Sequence, residues 1–176
     1  VSPFPGAYDA LSVVTVSSAV SSITFAGIPT GYKDLELRFI GSNSGSPKSF
    51  GIVSCNSDTT AANYRAHDLW GGGSSTANSG DYGNTYAGFI LQKLSGTSSG
   101  SNVFGAGIMT ILDYANTNKY KVARCFGGCE QNNTSGEVDF VSSLWMNTSA
   151  ITSLTITVYG GFNFTTNSSF ALYGVK

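Results

Sequence analysis

Catalysis at the one histidine of this chain would need partners that the surrounding sequence does not supply. His67 is followed directly by Asp68 within an extended segment, residues 64–70. Neighbouring residues on a β-strand point to opposite faces, so these two side chains do not form a same-face dyad. A Ser–His–Asp site also needs a serine held against the imidazole, and the chain has no nucleophile-elbow pattern. We therefore predict a surface or loop-packing role for His67.

Paired carboxylates are the next chemistry to consider, because a glycosidase needs only two acids at short range. Asp34 with Glu36, and Glu137 with Asp139, lie two residues apart and so share a strand face. Such pairs are ordinary on exposed strands, and we interpret both as solvated surface acids. With no acid pair identifiable as a site, the sequence predicts a protein that is not an enzyme.

The cysteines and loop acids give little basis for a metal or a cofactor. Cys55, Cys125 and Cys129 are an odd, sparse set, which favours reduced, partly buried thiols over a disulfide framework. A Cys125–Cys129 bridge across the glycine pair between them is the alternative. Zinc needs three or four closely spaced ligands, which this set lacks. Asp58 and Asp81 suit calcium, but turn-forming acids are also common in solvated loops. We predict no metal and no cofactor.

Aromatic residues are better candidates for binding. The chain has 11 Phe, 9 Tyr and 2 Trp. Tyr64 and Trp70 bracket His67, and Tyr82 and Tyr86 flank a polar loop. Exposed aromatic side chains often anchor protein partners or sugars. The alternative is that these four residues cap the ends of a sandwich core, and the sequence leaves both interpretations open.

Apolar and polar residues alternate along almost the whole chain, and no stretch shows helical periodicity. The extended runs are residues 11–16, 20–25, 35–40, 50–55, 64–70, 86–94, 103–112, 120–126, 137–146, 151–159 and 169–175. The longest polar loop, residues 71–83, lies between strands of one domain, and residues 113–120 form a predicted hairpin turn. The pattern predicts an all-β fold, either a sandwich or a barrel, and the long polar loops favour an antiparallel jelly-roll-like β-sandwich over residues 9–176, after an N-terminal arm of residues 1–8.

Low charge excludes several classes of partner. The net charge is −1, and charged residues make up 11% of the chain. No basic excess is present to neutralise a phosphate backbone, so we expect no nucleic-acid partner. The chain also lacks a polybasic or amphipathic stretch and any apolar run near the ~20 residues of a membrane span, so we expect no membrane partner.

Six stretches, spread in order over nearly the whole chain, carry a recognisable set of motifs. They are residues 8–16 (YDALSVVTV), 21–35 (SSITFAGIP, then YKDL), 63–67 (NYRAH), 113–121 (DYANTNKYK), 151–155 (ITSLT) and 169–176 (SFALYGVK). Together they resemble a family of tailed-bacteriophage virion proteins, whose members include capsid decoration (cement) proteins and tail or fibre components. The resemblance implies a jelly-roll-like β-sandwich, often a homotrimer. The family's FNGD-like segment is degraded here to residues 54–58 (SCNSD), so no role is carried over from that loop.

The resemblance leads us to expect a virion structural protein. The first hypothesis is a capsid cement protein, made in the host cytoplasm, that binds the major capsid protein on the outer capsid surface and stabilises the shell. Near-neutral charge and a single domain suit this role, and the N-terminal arm could dock on the shell. The alternative is a tail-fibre or receptor-binding domain that recognises a host-surface glycan through its loop aromatics.

Overall fold

The computed structural model describes residues 6–45, 47–73, 77–132 and 136–176, and within these ranges the chain is nearly all β. Its strands are β1 (Tyr8–Thr15), β2 (Ser22–Ala26), β3 (Asp34–Asn43), β4 (Lys48–Cys55), β5 (Tyr64–Gly71), β6 (Asn78–Asp81), β7 (Phe89–Gly96), β8 (Gly105–Leu112), β9 (Lys121–Glu130), β10 (Gly136–Trp145), β11 (Ser153–Val158) and β12 (Ser169–Val175). The helical segments of the described chain are two single 3-10 turns, Ala61–Asn63 and Thr97–Ser99.

Two antiparallel sheets pack face to face, with β7 of one lying across β8, β9 and β10 of the other. The larger sheet has the order β1-β12-β3-β8-β9-β10-β5-β6, and the smaller has the order β2-β11-β4-β7. A short parallel pairing of β3 with β7, at Ser42 and Asn43, joins them. Strands β5, β6, β9 and β10 extend the larger sheet beyond β8. The predicted all-β sandwich is confirmed.

The alternation seen in the sequence produces the core between the sheets. In β2, Ile23 and Phe25 are buried, while the three residues on the other face are exposed. β-branched and aromatic side chains at every second position fit a pleated, half-buried surface, which favours strands here. The largest fully buried side chains include Trp145, Tyr64, Tyr114, Phe89, Phe164 and Phe170.

The predicted loop of residues 71–83 contains a strand. β6 (Asn78–Asp81) pairs antiparallel with β5 at the outer edge of the larger sheet. Gly, Ser and Asn are poor strand formers, but an edge strand can be held by main-chain hydrogen bonds to its neighbour. Residues 74–76 of the predicted loop lie outside the described residues.

A bridge between Cys125 and Cys129 is excluded by the conformation of the segment that carries them. Both residues lie on β9, which continues as a strand through the glycine pair rather than turning. Four residues of strand span about 13 Å, whereas a disulfide needs Cα atoms within about 7 Å. Both thiols, and that of Cys55, are free and buried. Burial raises the pKa of the Cys125 thiol to about 12 and that of Cys129 to about 11.

The predicted hairpin at residues 113–120 is confirmed, since it joins the adjacent antiparallel strands β8 and β9. Asp113 takes a left-handed backbone (φ 47°), and its carbonyl accepts the amide of Asn116 at 2.9 Å. Lys119 and Lys33 donate to its carboxylate, and these hydrogen bonds lower the pKa of Asp113 to about 2. Of the predicted N-terminal arm, residues 1–5 lie outside the described residues, and Tyr8 already belongs to β1.

Candidate functional site

The outer face of the larger sheet, turned away from the smaller sheet, carries a row of large apolar side chains. Ile108, Phe126, Phe140 and Leu69 lie directly opposite one another on β8, β9, β10 and β5. Each is between 47% and 60% exposed. Because adjacent strands are about 4.8 Å apart, the row extends about 14 Å across the sheet.

A groove of about 680 Å³ runs beside this row. Ile40 and Val138 border the groove. The small residues Ala106 and Gly128 lie between them on β8 and β9 and form its floor, because their side chains project little from the sheet. We call this surface the apolar face, defined by Ile40, Leu69, Ile108, Phe126, Val138 and Phe140. Monomeric soluble proteins rarely leave a large contiguous apolar patch in water, so such a surface indicates an interaction site.

Strand β10 buries acidic side chains and exposes apolar ones, which is the opposite of the arrangement that water favours. Val138 and Phe140 point outwards and are 51% and 47% exposed, while Glu137 and Asp139 point inwards and are 2% and 0% exposed. The reason lies further along the strand, where Trp145 is in the core. A side-chain period of two residues places positions 137 and 139 on the same inner face as position 145.

Strand β5 repeats this reversal beside β10. Asp68 is 5% exposed and Leu69 is 53% exposed. The acids of the predicted Glu137–Asp139 pair share a face, but our interpretation of them as solvated is wrong, because that face is the inner one. Glu36, of the other predicted pair, is also buried, at 8% exposed, and forms an ion pair with Arg38 at 2.7 Å.

Glu137 is held by two lysines from the smaller sheet. Lys48 donates to Glu137 at 2.8 Å, and Lys93 donates to its other carboxylate oxygen. Burial alone would raise the pKa of Glu137, but these hydrogen bonds outweigh burial and lower that pKa. Burial, and then the charge of Glu137, raise the pKa of Asp139 to about 7. The Oδ1 atom of Asp139 has no partner among the described residues.

Two carboxyl groups with separated pKa values resemble the acid and base of a hydrolase. At 0% and 2% exposure, however, Asp139 and Glu137 leave no surface for a substrate in this structure. The arrangement therefore acts on stability and its pH dependence.

The four predicted binding aromatics lie near one another but in different environments. Tyr64 is 1% exposed, so it belongs to the core and offers no surface to a partner. Trp70 is half-buried, with the Lys93 ammonium 4.7 Å from its ring centroid. Tyr82 and Tyr86 are also half-buried and pack edge to face at 5.4 Å. Tyr86 reaches a surface groove on the smaller sheet.

Replacing Tyr64 by phenylalanine tests its place in the core. The Tyr64 hydroxyl donates to the Asp58 carbonyl at 3.0 Å and accepts the Cys55 amide at 3.1 Å. Losing the hydroxyl leaves two buried groups unpaired, so we expect Tyr64→Phe to lower the free energy of unfolding by about 1–3 kcal/mol. Urea titration followed by tryptophan fluorescence measures this. Tyr120→Phe, at a residue 50% exposed, is the control, and an equal effect of the two changes would contradict the assignment.

The remaining predicted chemical residues have local structural roles. The His67 side chain is 68% exposed, with its Nε2 3.4 Å from Asp81 Oδ1, in agreement with the predicted surface position. Asp58 accepts hydrogen bonds from Trp145 Nε1 at 2.8 Å and Asn63 Nδ2 at 2.9 Å. In the part of the chain that the structure describes, no group of three or more His, Cys, Asp or Glu side chains is placed to hold a metal ion.

The outer face of the smaller sheet differs in kind from the apolar face. Ser22 and Thr24 on β2 lie opposite Thr157 and Thr155 on β11, and all four point away from the core. This face therefore presents hydroxyl groups. Neither outer face is predicted as a binding surface from the sequence, although the alternation of Thr155 and Thr157 with buried Ile156 is a usable signal.

Comparison with family models, curated proteins and solved structures finds no match to this chain. Among the described residues, no helix is long and apolar enough to cross a membrane.

Proposed function

We propose that this protein is a structural component of a tailed-phage virion, a capsid cement protein that docks on the major capsid protein through its apolar face. The observation that carries the proposal is the contiguous apolar surface on the outer side of the larger sheet. The choice of a tailed-phage particle rests on the motifs that resemble phage virion proteins.

On β5 and β10 acidic side chains are buried and apolar side chains are exposed. This arrangement supports the proposal that a partner covers the apolar face. Burying Asp68 and Asp139 is unfavourable, because each has a carboxylate oxygen without a hydrogen-bond partner among the described residues. The same strand register displays Leu69, Val138 and Phe140 to solvent. A partner that covers these side chains recovers apolar burial at about 25 cal/mol per Å².

The charge of the apolar face indicates the chemistry of the partner surface. Arg38 is the charged residue among those lining the groove. It is paired with Glu36, and its guanidinium lies 5.3 Å and 4.9 Å from the ring centroids of Tyr8 and Tyr173. With that charge compensated, the face is complementary to a neutral, apolar protein surface such as the seam between capsid subunits.

A homotrimer is part of the same proposal, on the strength of the family resemblance. Sedimentation velocity of the purified protein measures the mass of the assembly against the 18.3 kDa of one chain.

A substitution that introduces a carboxylate at the centre of the apolar face tests the docking. Phe126 is 60% exposed, so Phe126→Glu leaves the core untouched. Docking would desolvate the new charge, and we expect at least about tenfold weaker binding. Co-sedimentation with empty shells of the major capsid protein, from the phage that encodes the chain, measures this.

Ser22→Glu is the matched control, because it adds the same charge at an exposed strand residue on the opposite sheet. It should co-sediment as the unchanged protein does. The proposal fails if the unchanged protein stays in the supernatant, or if Phe126→Glu binds shells equally well. Density for the chain on the tail of an intact particle would favour the tail-fibre alternative instead.

A further inference from the structure

A second groove, of about 410 Å³, lies on the outer side of the smaller sheet. Outward side chains of β4 and β11 form its floor, among them Ser54, Thr155 and Thr157. Tyr86 and Tyr159 form one wall. The groove and the apolar face are on opposite sides of the sandwich.

The lining of this groove is neutral and rich in hydroxyl groups. None of the residues that line it is charged, and five are serine or threonine. Among the residues that the structure describes, Thr157, Tyr86 and Tyr159 use their hydroxyls in no hydrogen bond. These groups can donate to and accept from a ligand without breaking an internal contact.

The aromatic wall is held in place by ring contacts. Tyr86 and Tyr159 meet edge to face, with centroids 4.9 Å apart and planes at 86°. Behind them, Phe50 and Tyr82 pack on Tyr86 at 5.6 Å and 5.4 Å. Tyr159 remains 51% exposed. A braced, exposed ring gives a ligand an apolar platform at little cost in side-chain entropy.

We propose that this groove is a binding site for a neutral carbohydrate. The ring C–H groups of a pyranose would pack against Tyr159, and its hydroxyls would exchange hydrogen bonds with Thr157 and Tyr86. Both interactions need the apolar platform and the hydroxyl-lined floor that the groove brings together.

The backbone under the groove argues against a peptide ligand. β11 is paired on both sides, with β2 and β4, and β4 is paired with β11 and β7. No strand edge is open there for an added peptide strand. The absence of lysine and arginine from the lining likewise argues against an anionic ligand.

The carbohydrate site goes beyond the proposed docking role and does not depend on it. A cement protein attached by its larger sheet would keep this groove exposed to the medium. Failure of shell docking and failure of sugar binding are separate results, because the two experiments use opposite faces.

Ligand-observed saturation-transfer NMR tests the site on the full chain. The probes are the methyl α-pyranosides of glucose, galactose and mannose, with methyl glucuronide as the acidic comparison. We expect saturation transfer from at least one neutral pyranoside and about tenfold weaker binding for Tyr159→Ala, the size of one lost ring contact. Tyr120→Ala, at a tyrosine with a matched exposure of 50%, should bind as the unchanged protein does.

A second variant tests the same site in case Tyr159→Ala alters the fold. Thr157→Val keeps the shape of the side chain and removes only its hydroxyl, so it should weaken the same pyranoside while leaving the circular dichroism spectrum unchanged. The proposal is overturned if no neutral pyranoside shows transfer, if Tyr159→Ala and Thr157→Val both bind normally, or if the glucuronide is preferred.

Discussion

Replacing Asp139 by asparagine should raise the free energy of unfolding at pH 8 by about 2–4 kcal/mol. In the native protein, burial and the charge of Glu137 raise the pKa of Asp139 from 3.8 to about 7. The folded state therefore holds a proton that the unfolded chain releases between these two values. Stability contributed by this group is present at low pH and is lost as the pH rises from about 4 to about 7.

Asparagine reproduces the protonated form of Asp139 and does not titrate. The gain in stability should therefore shrink as the pH is lowered from 8 towards 4.5. Glu137 does not mask this effect, because its pKa is lowered from 4.5 and its contribution is lost only as the pH falls below that window. Urea unfolding at half-unit pH steps, followed by tryptophan fluorescence, measures both curves.

Asp9→Asn is the control for the pH profile. Asp9 is partly exposed and paired with Lys176, and hydrogen bonds from Lys176 and Tyr32 lower its pKa, so it titrates below the window. The unfolding slope between pH 5 and 8 should stay as in the unchanged protein. If Asp139→Asn is instead less stable at pH 8, then folding favours the ionised form of Asp139, Lys93 stabilises that charge, and the pKa of Asp139 is not raised.

Lys93→Met should lower the free energy of unfolding by about 3–5 kcal/mol at pH 7, the size expected when one partner of a buried ion pair is removed. Lys93 donates to Glu137, whose side chain is 1% exposed, and its ammonium lies 5.1 Å from the Phe50 ring centroid and 4.7 Å from that of Trp70. Methionine keeps most of the apolar length of lysine. The loss therefore comes from the charge.

Lys176→Met is the matched control for this change. Lys176 pairs with Asp9 at 2.9 Å, but the two side chains are 44% and 37% exposed, so solvent screens this pair and the loss should be much smaller than that for Lys93→Met. The double variant Lys93→Met/Glu137→Gln should recover part of the loss, because it removes the carboxylate left short of a partner. If Lys93→Met and Lys176→Met lower the free energy of unfolding equally, burial of Glu137 does not make its ion pairs important to stability.

The two proposed surfaces lie on opposite outer faces of the sandwich. The apolar face lies on the larger sheet, and the hydroxyl-lined groove with Tyr159 lies on the smaller one. A protein attached through the first surface presents the second outwards, which suits a component on the outside of a particle.

Local alternation determined much of this fold. The residues of β2 alternate so cleanly that Ile23 and Phe25 could be placed inside without a structure. The same period placed His67 and Asp68 on opposite faces, and the turn-forming residues after Asp113 marked the hairpin. These features depend on contacts within a few residues, so the sequence is enough to predict them.

Only the tertiary structure decided which side of β10 faces the core. Read locally, Glu137-Val138-Asp139-Phe140 predicts acids outside and apolar residues inside. The strand has the opposite orientation, because Trp145 must be buried and a strand cannot turn over between the two ends of one ladder. Burial of the acids is then tolerated because Lys48 and Lys93, distant in sequence, lie across the sandwich from Glu137. The apolar face likewise exists only once β5, β8, β9 and β10 are side by side, since it joins residues from strands that the sequence keeps apart.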